Sequence, residues 1–69
     1  MKIAVENMNN FTKRFNNGGY PHLRFGQAFI NCFFSNGRTD PELFYMVDRA
    51  MAEEYIWENY VDLESGWDD

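Results

Sequence analysis

Cysteine and histidine are nearly missing from this chain: it holds one cysteine, Cys32, and one histidine, His22. A single cysteine excludes an intrachain disulfide. One Cys with one His cannot build the usual four-ligand structural zinc site. Gly18-Gly19 and Gly37 belong to no GxGxxG or GxxxxGK pattern, so they read as turn glycines rather than a phosphate cradle. No apolar run approaches the roughly 18 residues of a membrane-spanning helix. The opening MKIAVENMNN lacks the apolar stretch of a signal peptide. A lone free thiol fits a reducing compartment. The expectation is a soluble cytoplasmic protein with no cofactor and no metal.

What is present is aromatic. Phe, Tyr and Trp make up 19% of 69 residues. A chain this short buries a small fraction of its surface. Without disulfides or a metal it must rely on dense packing or on oligomerisation. Aromatic side chains favour dense packing because each buries a large area. A homodimer stays open. The expected organisation is one helical domain over residues 1–63 and a short acidic tail, 64–69, that frays unless Trp67 docks.

Charge is divided unevenly. Residues 1–38 carry Lys2, Lys13, Arg14, Arg24 and Arg38 against Glu6 alone, whereas residues 39–69 set Arg49 against ten acids. One reading is that basic helices lie beside an acidic one and partly neutralise it. The other is an acidic face that engages a basic partner.

The spacing of apolar residues predicts helices. Met8, Phe11 and Phe15 form a stripe in a first helix over residues 3–16, closed by Asn16-Asn17-Gly18-Gly19. Phe25, Ala28, Phe29, Cys32 and Phe33 form a full core stripe in a second helix over about 21–34, with Gly26 open to close approach by another helix. Ser35-Asn36-Gly37 closes it. Thr39 or Asp40 caps the next start, with Pro41 in its first turn and Glu42 complementing the helix dipole. A break near Val47-Asp48 would let Asp48 cap a helix over about 49–61, whose stripe is Met51, Ala52, Tyr55, Ile56 and Tyr60; one continuous helix from 41 to 61 is the competing reading. The fold class is all-α: three to four short helices around the second. The expected core is Phe11, Phe15, Phe25, Phe29, Phe33, Leu43, Phe44, Ile56 and Tyr60.

Candidate sites are few. His22 stands at a helix entrance with no arranged nucleophile, so it reads as a solvent-facing or capping residue. Cys32 lies within a Phe stripe and reads as a buried, inert thiol. Glu54, Glu58 and Asp62 share one helix face. Hard-cation sites draw ligands from several elements, so this row reads as a solvated face. Like charges at i, i+4 are mildly destabilising, which keeps an electrostatic use in view. Trp57 lies off the main stripe. It either packs on helix 1 or the tail, or it anchors an interface with an acidic rim. Glu53, Glu54, Trp57, Glu58, Val61 and Asp62 are therefore the candidate partner-binding residues. Gln27 and Asn31 either hydrogen-bond neighbouring segments, the start of DPELFY or the GGY loop, or extend a polar stripe with Arg24.

The block Arg24, Gly26, Gln27, Ala28, Phe29, Asn31, Phe33, followed by Asp40, Pro41, Glu42, Leu43, Phe44 and Tyr45, resembles a group of small proteins encoded by bacteriophages and prophages. The resemblance covers roughly residues 20–61. It implies a phage accessory protein acting in the bacterial cytoplasm and carries no activity with it. Small acidic phage accessory proteins commonly bind and inhibit host proteins, including nucleic-acid-handling defence machinery such as CRISPR effectors. The leading expectation is thus a non-enzymatic protein-interaction module directed at a host protein. A homodimeric structural or assembly accessory is the second. A nucleic-acid-binding regulator using Lys13, Arg14 and Arg24 is the third, and the net charge of −5 opposes it.

Overall fold

A computed structural model describes residues 2–34 and 37–63. Among them the chain is mostly helical, in the order β1 (Ile3–Ala4), α1 (Val5–Asn16), α2 (Phe25–Phe33), α3 (Pro41–Phe44), α4 (Arg49–Asn59) and β2 (Val61–Asp62). The all-α expectation holds. The addition is a two-stranded parallel bridge that pairs Ile3 with Val61 and Ala4 with Asp62. The Ile3 N–H also donates to the Tyr60 carbonyl at 2.8 Å. The first helix therefore starts at Val5 rather than residue 3. Ile3 is β-branched and buries against Val61, so tertiary pairing outweighs one more helical turn. No described helix is long and apolar enough to cross a membrane.

Each helix end has a local cause. Gly18 adopts φ +85°, and the N–H groups of Gly18 and Gly19 donate to the carbonyls of Phe15 and Arg14. That closes α1 in a Schellman motif, where glycine carries no Cβ penalty. The chain from 41 to 61 is two helices. Asp48 caps α4 by accepting the Ala50 N–H at 2.9 Å, and Pro41 opens α3 behind its cap Asp40. Residues 35–36, part of the expected closing turn of α2, and the tail 64–69 with Trp67 lie outside the described residues.

Phe11 is the centre of the core. Its ring lies 5.2–6.4 Å from those of Phe15, Tyr20, Phe25, Phe29 and Phe33, mostly tilted or edge-on, the arrangement that aromatic quadrupoles prefer. Met8, Ala28, Phe29, Leu43, Ala52 and Ile56 close around it. Phe15, Phe33 and Tyr60, expected in the core, are half-buried at its edge. Phe44 is 36% exposed; α3 is a single turn, and Leu43 takes its one inward position. Met51 is exposed rather than inward, because Ala52 and Ile56 set the buried line of α4 and Met51 lies about 100° from Ala52 around the axis. Cys32 is exposed, not buried. The cover over α2 thins along its last turn, where Asn31 is also exposed and Phe33 half-buried, and Arg14 lies beside the thiol.

The GQAF and DPELFY segments are one packing device. A Cβ on Gly26 would sit 2.5 Å from the Leu43 carbonyl oxygen and 2.9 Å from its Cδ1. Only glycine lets α3 lie this close to α2. The Gln27 side chain accepts the Arg24 N–H at 3.3 Å and donates to the Phe44 carbonyl at 3.5 Å. It thus caps α2 and ties it to the end of α3 rather than to its start.

Gly26→Ala should destabilise the fold by about 1–3 kcal/mol through overpacking, despite the roughly 1 kcal/mol that alanine gains over glycine in a helix. Urea denaturation checks this, and a gain in stability would contradict the packing account.

Candidate functional site

Two features stand out on the surface side of this core: a carboxylate held by two tyrosines, and the outward face of α4.

Asp40 has two tasks. One oxygen accepts the Leu43 N–H at 3.3 Å and caps α3. The other accepts the hydroxyls of Tyr55 at 2.7 Å and Tyr60 at 2.5 Å. Burial pushes the Asp40 pKa up, but hydrogen bonds from Tyr60, Tyr55 and the backbone of Leu43 and Glu42 outweigh it, and the net shift is downward from 3.8. The hydrogen bond to Asp40, with burial, pushes Tyr55 from 10.0 to about 12. Burial and then the same carboxylate move Tyr60 upward as well. At neutral pH this is an ionised acceptor with two protonated donors. The trio fastens the cap of α3 to Tyr55 in α4 and to Tyr60 just ahead of β2.

Helical geometry places Ala50, Met51, Glu54, Trp57 and Glu58 on one side of α4, opposite Ala52 and Ile56. Glu54 and Glu58 are exposed, and Trp57 is half-buried with its inner side on the core. Trp57, Glu58, Asp62 and Leu63 line an open groove of about 450 Å³ with Lys2 and the edge of Val61. Trp57 thus packs against the core cluster and also presents a face to the groove.

The six candidate partner-binding residues separate. Glu54, Trp57 and Glu58 come together, with Asp62, half-buried, at the far end. Glu53, one turn before Trp57, is engaged by Arg49 at 2.6 Å. The Arg49 guanidinium lies 5.2 and 5.0 Å from the ring centroids of Phe15 and Phe25, so this pair covers the aromatic core. Val61 is 3% exposed and paired in β2, so it serves the fold, not a partner. Lys2 and Leu63 join the groove without a sequence signal, because only the pairing of β1 with β2 brings them there.

The motif residues are taken up internally: Gly26, Gln27, Asp40 and Pro41 stitch α2 to α3. Arg24 and Asn31 are exposed. Of the basic residues, Lys13 and Arg14 are exposed in the last turn of α1, and Arg14 donates to the Tyr20 hydroxyl at 3.3 Å. His22 is exposed as expected. Among the described residues no three His, Cys, Asp or Glu side chains converge to hold a metal ion. A second apolar feature carries no sequence signal: Tyr45 and Val47 are exposed at the corner between α3 and α4, Met51 is exposed in the first turn of α4, and Tyr45 lines a hollow of about 250 Å³ with Thr39, Pro41 and Phe44.

No protein-family model, curated protein or solved structure matches the chain.

The Asp40 trio makes stability pH-dependent at both ends. Asp40 titrates lower in the folded state, so its contribution is present above about pH 4 and is lost as pH falls through the folded value. The tyrosines titrate higher when folded. Their contribution is present below about pH 10 and is lost as pH rises toward the Tyr55 value of about 12. Thermal unfolding across pH should show both limbs, and Asp40→Asn should shrink both. An unchanged alkaline limb in that variant would contradict the assignment.

Proposed function

We propose that this chain is a phage-encoded protein-interaction module that binds a host protein in the bacterial cytoplasm and inhibits or redirects it. The observation that carries this reading is the outward face of α4. It sets Trp57 among Glu54 and Glu58 on a helix whose opposite side is locked into the core. A rigid aromatic with a charged rim is the composition of an interface anchor. The only cation of α4, Arg49, is turned to Glu53 and the core rings, so Glu54 and Glu58 face no cation of their own helix, and among the described residues Lys2 is the one cation lining the groove at Trp57 and Glu58. The resemblance of the GQAF and DPELFY segments to phage accessory proteins supplies the context, and a nucleic-acid-handling defence factor is a target whose basic surface suits such a face. Fold and context alone do not fix a function, so the proposal rests on the face.

A tagged pull-down from bacterial lysate, with and without nuclease, tests it. A host protein that survives nuclease treatment supports the reading. Capture that vanishes with nuclease, or recovery of the protein itself alone, contradicts it. With the captured partner, Glu54→Lys combined with Glu58→Lys should abolish binding. Wild-type affinity should also fall steeply with salt, as electrostatically steered complexes do. Both side chains are exposed, so the variant should keep its circular dichroism and melting temperature.

A further inference from the structure

The exposed corner and the acidic face are one surface. Val47, at 75% exposure, immediately precedes the cap of α4, and Met51, at 58%, opens the outward side that continues through Glu54 to Trp57 and Glu58. Tyr45, 70% exposed, adds to the apolar end. Contiguous exposed apolar side chains rimmed by charge mark interaction sites rather than ordinary surface. The surface is therefore polarised, apolar at the N-terminal end of α4 and acidic toward its C-terminal end.

Charge decides what fits it. A second copy laid antiparallel along α4 with Glu54 against the same glutamate of its partner would bring Met51 against Trp57 and Ala50 against Glu58. Like charges would face each other with no cation of α4 between them, because Arg49 is held by Glu53 on another side. A cationic partner meets no such opposition along α4, where Lys2 at the groove edge is outnumbered by Glu54, Glu58 and Asp62. A helix that carries apolar side chains at one end of a face and basic ones about two turns further along that face matches this order, and laying a helix in a groove is a recurrent mode of recognition.

We propose that this surface docks a basic helix with apolar anchors at one end of its contacting face. Its apolar side chains enter the corner between Tyr45, Val47 and Met51. Its Lys or Arg side chains lie over Glu54 and Glu58, with one stacked on the exposed face of Trp57. Met51 and Glu58 are separated by about 10 Å along the axis of α4, so the partner's basic residues stand about two turns from its apolar anchors. This inference rests on the interaction-module reading and names the partner's chemistry.

The test uses a fluorescein-labelled synthetic helix with leucines at one end of a face and lysines about two turns further on, read by anisotropy. Two comparison peptides carry Glu for every Lys, or Ser for every Leu. Binding of the first peptide should weaken at least about tenfold for either comparison peptide, for Glu54→Lys with Glu58→Lys, and for Val47→Ser with Met51→Ser. Glu6→Lys, an equal charge change per site on exposed α1, should leave it within about twofold. Equal binding of the Glu peptide, or indifference to the Val47 and Met51 changes, overturns the proposal. So does light scattering that shows a dimer dissolved by those two changes, since a second copy would then own the surface. The peptide comparisons stand even if a protein variant fails to fold. Capture of a host protein through Glu54 and Glu58, with no binding of any synthetic helix, would overturn this inference and leave the interaction-module reading intact.

Discussion

Three hydrogen bonds to the Asp40 carboxylate fix how α3, α4 and β2 meet, and the remaining surface depends on that meeting. With one oxygen capping α3 and the other held by Tyr55 and Tyr60, the carboxylate sets the rotation of α4 about its axis. Ala52 and Ile56 then point inward. Met51, Glu54, Trp57 and Glu58 must point outward. Charge-assisted hydrogen bonds of this kind are stronger than neutral ones, and a small domain without disulfide or metal gains most from such fasteners.

The aromatic cluster around Phe11 supplies the bulk of burial, and the Asp40 trio supplies direction. Packing of Phe rings alone tolerates several arrangements of similar volume, whereas a carboxylate with three directed donors does not. The tight approach at Gly26 acts in the same sense by holding α3 against α2 at a distance that no side chain would permit. Gly26, Gln27 and Asp40 of the two motif segments thereby join α2, α3 and α4.

Local signals were legible in the sequence and distant ones were not. The Gly18 stop, the Asp40 and Asp48 caps and the close approach at Gly26 each follow from the chemistry of one or two residues, and the structure has all of them. The two-helix division of 41–61 follows from Asp48 in the same way. Ile3 was read as helical because its strand partner, Val61, lies at the opposite end of the chain, and no periodicity reports such a pair. Val61 was read as a contact residue for the same reason. Cys32 shows another limit: its angular position on the stripe is right, but burial also depends on how far the neighbouring elements extend along the helix. For the candidate site, Glu54, Trp57 and Glu58 were legible as one face from helical spacing. The apolar corner was not, because Met51 was assigned to the inward stripe and Val47 to a break.

The account stands on one claim, that the outward side of α4 with the α3–α4 corner is the contact surface. Titrating isotope-labelled protein with the captured partner and following amide and indole resonances tests it most directly. The account requires shifts gathered at Tyr45, Val47, Met51, Glu54, Glu58 and the Trp57 indole. Shifts gathered instead around Lys13, Arg14 and Arg24 would place the contact on the basic side of the molecule and contradict it.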